Sequence, residues 1–204
     1  MYASKKLAGP LVRLLVLLVV LLLCFSETSF AQGVNITVDD QAGDANSGVL
    51  PKYSPDNTWT EGNGCQTCAL HPNASLAIDN SWHDTTFQPT GPPMNITISF
   101  TGIAVYAFFI VPDSVQGDAT VGTDLIFTLD GQQAGTFTHS PTGSADFLYN
   151  VPCFVKSGLS NSSHQLVISA ASPDGGSTAV LFDYLQYTYV QYFESLIHLC
   201  KDGI

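Results

Sequence analysis

The sequence predicts an all-β protein, a jelly-roll β-sandwich. Three observations predict it. Apolar residues recur with period two along most of the chain, while the 3.6-residue spacing of an amphipathic helix is almost absent. The alternating runs are short, about eight in all. Gly, Pro, Asn, Asp and Ser gather at the joints between them, where turns need positive φ or local side-chain hydrogen bonds. A single closed barrel satisfies the same pattern and stays open at this level.

The first run is Val34, Ile36 and Val38, with Asn35, Thr37 and Asp39 on the other face. Met94, Ile96, Ile98 and Phe100 alternate with Asn95, Thr97 and Ser99 as a half-buried strand. Ile103 to Val111 is apolar on both faces, which suits a central strand. Leu125, Phe127 and Leu129 lead into Asp130-Gly131, a hairpin turn pair, with a return arm through Gly135 to Thr138. Phe147, Tyr149, Val151, Cys153 and Val155 alternate again. Pro152 within this run cannot donate to a ladder and marks an edge strand or a bulge. Gln165 to Ala170 and Ala179 to Val190 complete the set, and Phe193 to Leu199 is the one short stretch with helical character. Residues 40 to 93 are irregular and broken by prolines. A loop of that length in a compact domain is functional or stapled.

The N-terminus reads as a signal peptide over residues 1–31. Lys5, Lys6 and Arg13 form a basic start, Leu14 to Phe25 is apolar, and Ser29-Phe30-Ala31 supplies small residues at −3 and −1. The apolar run is shorter than the roughly 20 residues of a membrane anchor, the competing reading. The sandwich domain is then 33–190, followed by a C-terminal tail, 191–204. No further stretch approaches spanning length, so the mature chain is expected to lack a transmembrane span.

Cleavage leaves Lys52, Lys156 and Lys201 against 16 of the 17 acidic residues, and no arginine. Such a chain cannot neutralise phosphates, which excludes nucleic acid as a partner and disfavours anionic membranes and polysaccharides. A neutral sugar or a cation is compatible. Four N-x-S/T sequons begin at Asn35, Asn73, Asn95 and Asn161, as expected of a secreted glycoprotein. Cys24 leaves with the signal, and Cys65, Cys68, Cys153 and Cys200 remain.

Cys65-Gln66-Thr67-Cys68 is compatible with a redox motif, with half a zinc site completed by His71 and His83, or with a structural staple. In an oxidising compartment a local disulfide is the expectation, with Cys153 and Cys200 left to pair or stay free. The five histidines fall in separate segments and no nucleophile elbow or zinc-protease helix is present, so no enzyme is expected. A hydrolase using His83 and Asp84 is the weakest reading. Trp59 and Trp82 lie in the irregular region. Beside Trp82 stand Asn80, His83 and Asp84, which could bind sugar hydroxyls while an indole stacks on the ring. The bland alternative makes both tryptophans plugs of the core. Asp183 lies in step with Leu181, Leu185 and Tyr187. If the first and last strands meet, Asp39, Asp40 and Asp183 could hold structural calcium, or else accept loop amides.

Several runs share an order with one known group. They are Asn80-Ser81-Trp82-His83-Asp84-Thr85-Thr86, Phe100-Thr101-Gly102-Ile103-Ala104-Val105-Tyr106, Phe127-Thr128-Leu129-Asp130-Gly131 and Leu181-Phe182-Asp183-Tyr184. With Gly158-Leu159-Ser160-Asn161, His164-Gln165-Leu166 and the Cys65/Cys68 pair, the region 33–189 resembles extracellular proteins of mushroom-forming (basidiomycete) fungi that carry a galactose-binding-like jelly-roll domain. The resemblance implies a carbohydrate-module sandwich and implies no ligand. Relatives commonly continue into a Ser/Thr-rich linker and one membrane span, whereas this chain ends at Ile204. The resulting expectation is a secreted, extracellular or cell-wall, non-catalytic lectin-like module that binds neutral glycans or cell-wall polysaccharide. Its competitor is a structural or adhesive ectodomain that binds no sugar.

Overall fold

The computed structural model describes residues 9–12, 14, 15, 18 and 28–195. The chain divides into two compact units, Met1–Gln32 with Gln191–Ile204, and Gly33–Val190. In the first, the described residues are helical at 10–12, 14, 15 and 18 and extended at 28–32 and 191–195. No described helix is long and apolar enough to cross a membrane. Most of the expected signal peptide lies outside the described residues, as do Cys24, Cys200 and any bond from Cys200 to Cys153. The helical character expected at Phe193 is not found: Phe193 to Ser195 are extended, and 196–199 lie outside the described residues.

The second unit is built from ten strands, β1 (Thr28–Asp39), β2 (Gly43–Asp44), β3 (Lys52–Ser54), β4 (Thr60–Glu61), β5 (His83–Phe87), β6 (Asn95–Pro112), β7 (Thr123–Leu129), β8 (Gln132–His139), β9 (Phe147–Ala170) and β10 (Thr178–Ser195). β1 and β10 have their outer ends in the first unit. Two 3-10 turns, Ala74–Leu76 and Ile78–Asn80, precede β5. The strand path runs β2-β1-β10-β6-β9-β7-β8, with β3 on β6 and β5 on β10 and β4. Among the described residues the path has two free ends, so these strands form an all-β sandwich and not a closed barrel.

Two layers arise because the long strands serve both. Residues 95–102 of β6 pair with β3 and with 162–169 of β9, whose end also pairs with β7. Residues 104–112 pair with β10 and with 147–157 of β9. Across the layers, the rings of Phe127 and Phe154 stack at 4.7 Å, and Phe109 meets Phe127 edge-on at 6.5 Å. Ile96, Ile98, Phe109, Phe127, Leu166 and Phe182 belong to this principal core. Fully burying a side chain of that size stabilises the fold by roughly 1.5–3 kcal/mol.

Bulges change the face a strand presents. In β6 the core-facing residues are even-numbered up to Phe100 and odd-numbered from Val105, with the register shift between Gly102 and Ala104. In β10 the shift falls at Asp183, so Val180 and Phe182 precede it on the core face and Leu185 and Tyr187 follow. Leu181 therefore faces away from the core, which corrects the expectation that it is in step with Leu185 and Tyr187. Pro152 lies beside the register shift at Ala107/Phe108, where its missing donor is tolerated. Asp130 and Gly131 both have positive φ, 51° and 78°, the conformation of a tight hairpin turn between β7 and β8.

Candidate functional site

Leu181 and Ile110 face a second apolar cluster with Leu70, Ala179 and Trp82. The irregular segment thus covers the outer surface of the β10 layer, and Trp82 fills the contact. The indole is only 2% exposed, and its Nε1 has no hydrogen-bond partner. Trp82 is a plug, not a ligand platform, because a large apolar ring gains more by closing this cluster than by facing water. Trp59 is half-buried against the principal core, with its Nε1 donating to the Ser54 carbonyl at 3.2 Å and its ring 5.1 Å from Tyr53. Asn80 is exposed at the end of the second 3-10 turn.

His83 and Asp84 are neighbours on β5 and point to opposite faces. His83 pairs with Phe182, on the core side, and Asp84 with Leu181, on the outer side. The five expected ligand residues are therefore not brought to one place. His83 stacks on Tyr53 at 4.1 Å, and its Nδ1 is 2.7 Å from Asp40 Oδ2. Asp84 lines a small polar pocket under the Cys65–Cys68 loop. The two cysteines are bonded there, with Cα atoms 5.5 Å apart. Cys153 is buried, and burial pushes its thiol well above the usual range.

Asp39, Asp40 and Asp183 do gather where the first and last strands meet. The Asp40 amide donates to the Asp183 carbonyl at 3.2 Å. Asp40 is fully committed: Oδ1 accepts from the Ser81 hydroxyl at 2.5 Å, Oδ2 engages His83, and its carbonyl accepts from Tyr53 Oη at 2.7 Å. Asp39 Oδ1 accepts from the amides of Gln41 and Ala42, and Asp183 Oδ1 from the amide of Ile78 at 3.0 Å. Oδ2 of Asp39 and of Asp183 are buried without partners. Burial, then the nearby carboxylates of Asp40, Asp39 and Asp79, raise the Asp183 carboxyl to about 7 against the pull of the Ile78 amide. Burial likewise raises Asp39. Among the described residues no three His, Cys, Asp or Glu side chains converge on a point that could hold a metal ion. Asp40 is committed to Ser81 and His83, so the three carboxylates gather here without forming one open donor set.

A larger concavity than the Asp84 pocket lies elsewhere. A groove of about 560 Å³ opens among the ends of β5, β7, β8 and β9. Phe87, Phe137 and Pro173 give it apolar walls, and Asp124, Thr136 and Thr138 supply polar groups. Asp124 Oδ1 is buried in the wall with no hydrogen-bond partner. Aromatic edges beside an unfilled acceptor match what a sugar offers, an apolar C–H face rimmed by hydroxyl donors. Sequence reasoning missed this site because its parts are four separate segments, none with a motif.

Of the four sequons, Asn35, Asn73 and Asn161 are exposed, while Asn95 is half-buried with Oδ1 accepting from Ser169 at 2.7 Å.

No family model and no curated protein matches the chain. Solved structures similar to it include a family 35 carbohydrate binding module from Clostridium thermocellum, 11% identical, covering 79% of this chain and 99% of that one with a TM-score of 0.45. A second is an active-site mutant of a family two carbohydrate esterase from the same organism, at 16% identity, 56% and 29% coverage and a TM-score of 0.35. A third is an exo-β-1,3-galactanase from Phanerochaete chrysosporium with galactose, at 12% identity, 80% and 29% coverage and a TM-score of 0.38. This chain thus spans under a third of the esterase and galactanase chains. Likenesses this distant leave the functional reading to the geometry.

Proposed function

We propose that Gly33–Val190 is a non-catalytic, lectin-like module that binds neutral glycans in its β7–β8 groove, as part of an extracellular or cell-wall protein of the fungal type it resembles. The carrying observation is the groove itself, walled by Phe87 and Phe137 and lined by Asp124, Thr136 and Thr138. A carboxylate and two hydroxyls beside aromatic rings offer acceptors and donors to the hydroxyls of a sugar. The acidic chain favours neutral over anionic glycans.

Binding is favoured over hydrolysis because, among the described residues, Asp124 is the one carboxylate lining the groove, whereas most glycosidases work with two. His83, His139 and His164 are each held by a carboxylate, that of Asp40, Asp113 or Asp130, and none lines the groove. The bonded Cys65–Cys68 pair and three exposed sequons support an oxidising, extracellular setting.

A glycan array on deglycosylated protein, followed by calorimetry with the best ligand, tests the reading. Asp124→Ala should weaken binding by about 10- to 100-fold, the worth of a hydrogen bond to a charged group, without lowering the melting temperature. An array with no specific binding would favour a structural or adhesive ectodomain, and turnover of a chromogenic glycoside would show a hydrolase.

A further inference from the structure

Beneath the Cys65–Cys68 loop lies a second pocket of about 280 Å³, half the volume of the groove. Its lining is unusual in kind: Thr58, Thr60, Thr67, Thr86 and Thr120 surround Asp84, with Cys68 in the wall. Asp84 is 9% exposed. Burial pushes its carboxyl up to about 6, and among the described residues no donor offsets the charge. A carboxylate left this way among hydroxyls is an acceptor awaiting donors from outside the chain.

The donors can be narrowed. An anion is repelled by the carboxylate. A divalent cation asks for six or more oxygen ligands, usually with several charges among them, and no three-ligand acidic or histidine group exists among the described residues. An apolar ligand would strand the carboxylate and the threonine hydroxyls. A polyol answers both: paired hydroxyls donate to the carboxylate, while threonine hydroxyls donate or accept as the ligand requires. Threonine methyls add apolar surface for ring C–H groups, and the volume suits one sugar ring.

We infer that the Asp84 pocket is a second carbohydrate site, separate from the groove, that takes a single neutral monosaccharide or a terminal sugar residue. The Cys65–Cys68 bond fixes the loop carrying Thr67 and so holds one wall in place. Asp84 is the specificity-determining acceptor.

The test is methyl NMR on threonine-labelled whole protein titrated separately with glucose, galactose, mannose and xylose. At least one sugar should shift the Thr60, Thr67 and Thr120 methyl signals saturably. Asp84→Asn should weaken that binding about tenfold or more, and Thr120→Val should weaken it less. Both variants should melt no lower than the parent, Asp84→Asn because it neutralises a buried charge. Shifts confined to Thr136 and Thr138 would overturn this pocket while supporting the groove. Pocket shifts that persist unchanged in both variants would overturn the role of Asp84. Silence at all five methyl signals would remove the pocket and count against the groove as well.

Discussion

Gly62 lies against the indole of Trp82 so closely that a Cβ at position 62 would overlap the ring, and its amide donates to the Trp82 carbonyl at 2.8 Å. The irregular segment is thereby clamped to the outer face of the β10 layer. Trp82→Ala should destabilise the unit by about 3–5 kcal/mol through the cavity left behind, and Gly62→Ala should also lower the melting temperature by forcing the ring aside. Thermal melting checks both. Sugar affinity of the still-folded Trp82→Ala protein for the groove ligand should be unchanged.

Asp183 gives the fold a pH dependence of defined sign. Its carboxyl is raised to about 7 in the folded chain and is near 3.9 when unfolded, so the folded state binds the extra proton. Stability should be greatest below about pH 4 for this group and decline towards about pH 7. Asp84, raised to about 6, adds a decline that ends sooner. Asp183→Asn should flatten most of the slope and gain roughly 1–3 kcal/mol near pH 8, read by denaturant titration. A loss at that pH, with calcium-dependent stability of the parent, would mean that a cation holds the carboxylate.

The His164–Asp130 pair acts with the opposite window. Burial opposes the charge on His164, but the Ser160 carbonyl at 2.9 Å and Asp130 at 2.7 Å outweigh it and raise its basicity. Asp130 is lowered, chiefly by the same hydrogen bond. The pair should stabilise the β7–β8 turn most between about pH 4 and about pH 6.5, fading as His164 loses its proton above that range. His164→Gln should cost about 1 kcal/mol or less near pH 5.5 and less still near pH 8.

The covalent features are checked by mass spectrometry of protein recovered from the culture medium, where the proposed export should place it. The chain should begin near Gln32, and non-reducing peptide maps should link Cys65 to Cys68. Glycan occupancy should be high at the exposed Asn35, Asn73 and Asn161 and low at the half-buried Asn95.

The strand faces were legible wherever alternation ran unbroken, as from Met94 to Phe100, and the Asp130-Gly131 turn marked its own hairpin. What stayed hidden depends on partners. The shifts at Gly102 and Asp183 reverse the inward face without altering local composition, so Leu181 looked like a core neighbour of Leu185. Trp82 looked like a ligand residue because its polar neighbours surround it in sequence, whereas β5 sends His83 and Asp84 to opposite sides. The cluster of Asp39, Asp40 and Asp183 was legible from its carboxylates, but not the commitment of Asp40 to Ser81 and His83. Asp124 and Phe137 meet Phe87 only after four segments have assembled.

β6 and β9 each belong to both layers, with bulges where they cross from one to the other. Neither layer can be peeled away while the other stays intact, since each would take half of the same two strands with it. A tension applied along β6 is carried from one sheet into the other through an unbroken backbone, and melting and mechanical rupture should each occur as one event. A module of this build should keep its fold under load until the whole domain gives way.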